Sequence, residues 1–133
     1  ILTAQLIEQS GGDLLDVSNG MGKYQAPPEF LYDSKIYAAA RVKEVAHIPV
    51  ICVGNITAGQ QAEEILRAGY ADMTAIGRGH LCDPAWGNKV FEGEQPVLCR
   101  QCRRCLWYID SRKCPVAQKR EQRKSLKQCE TLF

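Results

Sequence analysis

An α/β fold built on a parallel sheet is predicted, and three features of the sequence predict it. The apolar runs Leu14–Val17, Val50–Val53 and Met73–Ile76 are short and nearly continuous instead of alternating, as strands covered on both faces are. Helical periodicity fills the intervals, so strand, helix and strand succeed one another, and right-handed crossovers in a parallel sheet follow. Each run ends in a glycine-bearing turn: Ser18-Asn19-Gly20, Gly54-Asn55-Ile56 and Gly77-Arg78-Gly79. Parallel α/β sheets bind ligands at the carboxyl ends of their strands, so these turns predict one functional edge.

In chain order, the first segment is helical, with Leu2 and Leu6 four residues apart, and Gly11-Gly12 closes it. After the first strand comes a longer connection, Gly20 to Asp33, carrying Met21, Tyr24 and Pro27-Pro28. Its length suits an active-site loop and a plain surface connection equally. A helix over about 34–46 follows, with Ala38, Val42 and Val45 as its apolar face. It ends near His47, where an imidazole complements the helix dipole. The next helix starts at Thr57 as N-cap, with Gln60 in the capping-box position. Ala62, Ile65 and Leu66 form its stripe, and Gly69 is its left-handed C-terminal cap. Three such strands cannot close a barrel and leave two open edges, so a fragment of a larger fold, or a partner, is expected.

The 133 residues suit one modest domain. No apolar run approaches the roughly 20 residues of a membrane span. Residues 1–10 carry Glu8 and no basic flank, unlike a signal peptide, so a cytoplasmic protein is expected. Residues 1–98 carry a net charge of −5 and residues 99–133 a net charge of +7. The basic tail Lys119–Lys124 has no interleaved aromatics for base stacking. It reads as charge compensation or a solvated helix, not as a nucleic-acid surface. Seven cysteines without a secretion signal point to metal or redox chemistry, not disulfides. Five lie within residues 99–129; Cys52 and Cys82 are expected as small core residues.

Gly54 and Gly77 follow adjacent strands, and a glycine there lets backbone approach a ligand. Arg78 adds a planar fork of donors matching phosphate oxygens. A phosphate site is predicted; tight turns with Arg78 paired to a surface acid are the structural alternative. Cys99, Cys102, Cys105 and Cys114 form C-x2-C-x2-C-x8-C, with Pro115 after the last. That run matches iron–sulfur ligation in ferredoxins. Four-cysteine zinc sites also use C-x2-C, though usually as two separated pairs, and stay the alternative. Neither His47 nor His80 has the carboxylate and nucleophile neighbours of a catalytic histidine. Trp86 and Trp107 are expected to pack, with Trp107-Tyr108 as a shield over the cysteines.

Several stretches resemble the last three strands of the Old Yellow Enzyme family, FMN-dependent (β/α)8-barrel reductases. These are Asp13-Leu-Leu-Asp-Val-Ser-Asn-Gly20, Pro49-Val-Ile-Cys-Val-Gly-Asn-Ile56, Gln61-Ala-Glu-Glu-Ile-Leu66 and Ala71-Asp-Met-Thr-Ala-Ile-Gly-Arg78. Leu81-Cys-Asp-Pro-Ala-Trp86 is similar to the stretch after strand eight, so the resemblance covers most of residues 1–90. It implies that residues 1–98 are the C-terminal part of an FMN-binding TIM barrel, with Gly54, Asn55, Gly77 and Arg78 around the FMN phosphate. Members resembling 2,4-dienoyl-CoA reductase, enoate reductase and trimethylamine dehydrogenase carry a [4Fe-4S] cluster just after the barrel. Residues 99–133 are then an iron–sulfur segment and basic tail, with Cys99, Cys102, Cys105 and Cys114 as ligands. The gap before Cys114 is shorter than the family's and no Asn-Pro follows, which leaves Cys129 as an alternative fourth ligand.

The implied activity is hydride delivery to an activated C=C bond of a small unsaturated substrate, with electrons from NAD(P)H or through the cluster. The family's proton donors lie on earlier strands, so no catalytic residue is expected here. The implied partner is the rest of the barrel or a further nucleotide-binding domain. A non-catalytic electron-transfer or zinc-stabilised module, and a sugar-phosphate barrel enzyme, are the competing functions.

Overall fold

The computed structural model describes the backbone of residues 1–18 and 25–130, and side chains as far as Gln122. Asn19, Gly20, Met21 and Tyr24 of the first turn and long connection lie outside the described residues, as does the side chain of Cys129. The chain divides into two compact units, Ile1–Ile76 and Gly77–Phe133.

In the first unit the order is α1 (Leu2–Gln9), β1 (Leu15–Val17), α2 (Ser34–Lys43), β2 (Val50–Val53), α3 (Gly59–Arg67) and β3 (Met73–Ala75). The strands form one parallel sheet in the order β1-β2-β3, with Leu15 opposite Val50 and Val53 opposite Ala75. The parallel α/β sheet is therefore present, each strand within a residue of its expected span.

Ile36 and Ala39 of α2, Val50 and Cys52 of β2, and Ile65 of α3 have no solvent exposure and make the core. Burial pushes the Cys52 thiol up to about 11, the behaviour of a small apolar residue. The buried stripe of α2 is Ile36, Ala39 and Ala40, not Ala38, Val42 and Val45, which are half-buried. Ile36, the largest aliphatic side chain of the helix, takes the sealed position and turns the stripe with it. Coverage of both sheet faces is only partial among the described residues. Val50 and Cys52 are buried while Ile51 and Val53 are half-buried, and Met73 is exposed. On α1 the buried residue is Ala4, and Leu2 and Leu6 point outward.

The caps are local and specific. α3 begins one residue later than expected: Ala58, extended at φ −115°, is the N-cap, and Thr57 precedes it. Gln61 instead of Gln60 closes the turn, its Oε1 accepting from the Thr57 N–H at 3.1 Å; Gln60 bonds Glu64. At the other end Gly69 sits at φ +72° as foreseen. The Tyr70 N–H reaches the Ile65 carbonyl at 3.2 Å and the Gly69 N–H the Leu66 carbonyl at 3.0 Å, a full Schellman motif. His47 does have a carboxylate neighbour, contrary to expectation: Glu8 Oε1 stands 3.3 Å from its Nδ1, with the ring exposed. Asp72 Oδ2 accepts from Lys43 Nζ and from the Val50 N–H, both at 2.8 Å, tying α2 to the start of β2.

The second unit holds α4 (Arg78–Cys82), α5 (Trp86–Phe91), two short 3₁₀ turns (Leu106–Tyr108 and Ser111–Lys113) and α6 (Pro115–Glu130). α4 and α5 were not expected; five and six residues are too few for a helical period to show. Pro115 opens α6 at the first helical position, where its missing N–H costs nothing. Cys82, Cys114, Val116 and Ala117 form the buried centre of this unit, with Cys99 and Trp107 packed against it.

Candidate functional site

At the carboxyl end of β2, Gly54 has φ +157°, and a Cβ there would stand 3.0 Å from the Cβ of Asp33 and 3.1 Å from its Oδ1. Asn55 takes the left-handed conformation at φ +47°, which its short polar side chain tolerates. Its Nδ2 donates to Asp33 Oδ2 at 2.6 Å. Asp33 also caps α2, its Oδ1 accepting from the Lys35 N–H at 3.0 Å. Asp33 thus accounts for both residues of the turn, and sequence reasoning overlooked it. The signal was there, an aspartate immediately before Ser34 and a helical stretch. The register of β2 with β3 sets this turn beside Ile76, the last residue of the first unit.

Gly77 is different. Its φ is −85°, and nothing lies within 4 Å of the place a Cβ would occupy, so neither strain nor crowding among the described residues accounts for glycine. Arg78, half-buried, opens α4 and lines a cavity of about 20 Å³. The cysteines Cys82, Cys99, Cys102, Cys105 and Cys114 line the same cavity. All four expected ligands are therefore brought to one place, with a fifth thiol beside them.

The thiols differ in setting. Cys114 is buried, Cys99 and Cys105 half-buried, and Cys102 exposed. The Gln101 N–H donates to Cys99 Sγ at 3.4 Å, within the range for sulfur, and Gln101 itself is left-handed at φ +51°. Such N–H···S bonds help set the potential of thiolate-held iron. Cys82 is pushed up to about 12, first by burial and then by its neighbours Cys99 and Cys114. The chemistry of the donor set fits a thiolate-ligated group. The space between the sulfurs is about one water's worth. Among the described residues no three Cys, His, Asp or Glu side chains are gathered to hold a single metal ion. The four thiols share a cavity rather than a ready coordination sphere. Trp107 lines that cavity, as a shield would, while Tyr108 is exposed. Trp86 is buried, its ring 5.7 Å from that of His80.

Two further residues hold the cavity's walls, and neither was singled out in the sequence. Asp83 is only 3 % exposed, and its Oδ2 accepts from Lys89 Nζ at 2.7 Å and from the Val97 N–H at 2.9 Å. Burial raises its pKa, but Lys89 and the N–H groups of Val97 and Ala85 outweigh that and leave it below the ordinary value. The bond to Val97 fixes the chain two residues before Cys99. Arg120 of α6 donates from Nη1 to the Cys82 carbonyl at 2.7 Å. Among the described residues no helix is long and apolar enough to cross a membrane.

The chain is 39 % identical over 108 residues to a protein of Thermoanaerobacter brockii named NADH oxidase, a match covering 77 % of this chain and 16 % of that one. It is 43 % identical over 81 residues to an NADPH dehydrogenase of Bacillus pumilus, covering 61 % and 24 %. Over 58 residues it is 41 % identical to an NADH:acrylate oxidoreductase of Vibrio harveyi, covering 44 % and 6 %. The chain thus spans a quarter or less of each of these relatives. Because residues 1–98 make up about three quarters of the sequence, the first of these matches runs past Cys99. Residues 2–96 match the NADH:flavin oxidoreductase / NADH oxidase family as a whole, and with that match the chain belongs to this family, as its resemblance to the Old Yellow Enzymes implied.

Proposed function

We propose that this chain is the C-terminal part of a flavin- and iron–sulfur-dependent oxidoreductase that passes electrons from NAD(P)H to an activated C=C bond. The observation that carries the proposal is the cavity Arg78 shares with Cys99, Cys102, Cys105 and Cys114. A residue suited to a flavin phosphate and a set of thiols suited to iron line one cavity. Family membership supports FMN as the flavin. The relatives' names support a reduced nicotinamide donor, and acrylate is an α,β-unsaturated acid, which supports the substrate class.

When bound, FMN supplies hydride transfer and an iron–sulfur cluster supplies one-electron transfer. The chain's own residues bind and tune. Arg78 offers a fork of donors to phosphate oxygens, and Gly77 leaves open backbone beside it. Gly54 and Asn55 make the turn after β2, shaped by Asp33. Cys99, Cys102, Cys105 and Cys114 supply the thiolates, and Gln101 directs an N–H at the first of them. Arg100, Arg103 and Arg104 are exposed around the ligand loop and offset its negative charge.

The test is the absorbance and metal content of the full-length protein purified without oxygen. A flavin band with a broad iron–sulfur shoulder, and iron and sulfide in equal amounts, is expected. Cys102→Ser abolishes the iron signal and leaves the flavin band. Zinc in place of iron would make the cysteine segment a structural module, since zinc draws four sulfurs to about 2.3 Å from one point.

A further inference from the structure

Cys82 is not among the expected ligands, yet it stands with two of them. It is 2 % exposed and shares the buried centre with Cys114, and Cys99 packs against that centre. Cys82 and Cys99 both line the thiol cavity. They differ in access. Cys99 is half-buried, and its sulfur is held by the Gln101 N–H, whereas Cys82 is sealed. Cys114 is buried too, at 9 % exposed, so Cys99 is the member of this trio that a small oxidant reaches first.

We propose that Cys82 is a resolving thiol: when the site holds no cluster, a peroxide oxidises Cys99, and Cys82 captures it as a Cys82–Cys99 disulfide. The Cys99 sulfur attacks the peroxide O–O bond, forming the sulfenic acid and one water from hydrogen peroxide. The Cys82 sulfur then attacks the sulfenic sulfur; the S–S bond forms, the S–O bond breaks, and the hydroxyl leaves with the Cys82 proton as a second water. The thiol pair loses two electrons and the peroxide gains them. Without a resolving thiol, further peroxide carries Cys99 to the sulfinic acid, which thiols do not reduce. The disulfide stands on the thiol contacts alone; its value in keeping a ligand recoverable rests on the proposed role of Cys99.

The experiment treats cluster-free, full-length protein with equimolar hydrogen peroxide, alkylates free thiols, digests with trypsin and maps the peptides. The basic residues Arg78, Lys89, Arg100, Arg103, Arg104 and Lys113 place each of the five thiols on its own peptide. The expected product joins the Cys82 and Cys99 peptides and lacks two hydrogens. Iron uptake, lost on oxidation, returns after dithiothreitol. In Cys82→Ser, and in Cys82→Ala as a check on folding, untreated protein takes up as much iron as the parent. With the peroxide raised to two or more equivalents, these variants carry sulfinic Cys99 and dithiothreitol does not restore uptake. Linkage of Cys99 to another cysteine, or Cys82 alkylated in full after treatment, overturns the proposal. Failure of untreated parent protein to take up iron overturns the ligand role and leaves the disulfide result standing.

Discussion

Asn55 Nδ2 and Asp33 Oδ2 lie 2.6 Å apart, and through this hydrogen bond one aspartate serves two elements. The same carboxylate caps α2 and holds the turn after β2 in a left-handed bend. Asp33→Ala removes the cap and the bond that the Asn55 amide makes to this carboxylate. It is expected to lower stability by about 2 kcal/mol, one for the cap and one for the side-chain bond. The urea midpoint should fall with the slope unchanged. Gly54→Ala presses on the Asp33 side chain and should destabilise in the Asp33 background; relief of that cost in Asp33→Gly, which removes both the Cβ and the carboxylate, would show that crowding against Asp33 is its source.

Asp83 predicts a pH dependence with a definite sign. Its pKa is lower in the folded protein than in the unfolded chain, because Lys89, Val97 and Ala85 overcome the effect of burial. The stabilisation it contributes is therefore complete above about pH 4, the unfolded value. It is lost as pH falls further, through the folded value. Asp83→Asn should cost about 3 kcal/mol near neutral pH, since it leaves Lys89 beside a neutral group. Its stability should also fall less steeply than the parent's below pH 4. Parallel slopes would assign the acid sensitivity to other groups, of which Asp72, lowered chiefly by Lys43, is the first to examine.

Arg120 spans from α6 to the carbonyl of Cys82. Arg120→Ala should reduce stability by about 2 kcal/mol, the worth of a hydrogen bond from a charged donor. Among the described residues the buried Nε of Arg120 has no partner, so Arg120→Lys discards an unmet donor while keeping a charge. It should cost less than the alanine change in the same thermal melts.

Arg78→Ala tests the phosphate assignment. In the full-length enzyme, FMN retention on dilution should drop about tenfold or more, as expected for loss of a charged, forked contact. Flavin fluorescence reports the release. Unchanged retention with lowered iron content would make Arg78 a wall of the thiol cavity alone.

The parallel sheet, its three strands and the Gly69 cap were legible because each depends on a few neighbouring residues. Local pattern carried no such information elsewhere. The face α2 buries could not be read, because Ala38, Ala39 and Ala40 give an apolar side chain in several directions and Ile36 decides among them. α4 and α5 are shorter than two helical turns, so no period announces them. That Cys99, Cys102, Cys105 and Cys114 lie around one cavity was legible from their spacing. The approach of Cys82 to Cys99 was not, because a buried cysteine 17 residues earlier looks like any other small apolar residue.

Leu2, Leu6 and Met73 face outward, and among the described residues β1 and β3 are the edge strands of the sheet. Handled by itself, such a surface is adhesive, and its apolar patches and strand edges invite neighbouring molecules to stack. Purification yield and light scattering of the 133-residue chain will then depend steeply on concentration, and detergent or a covering polypeptide should suppress that dependence.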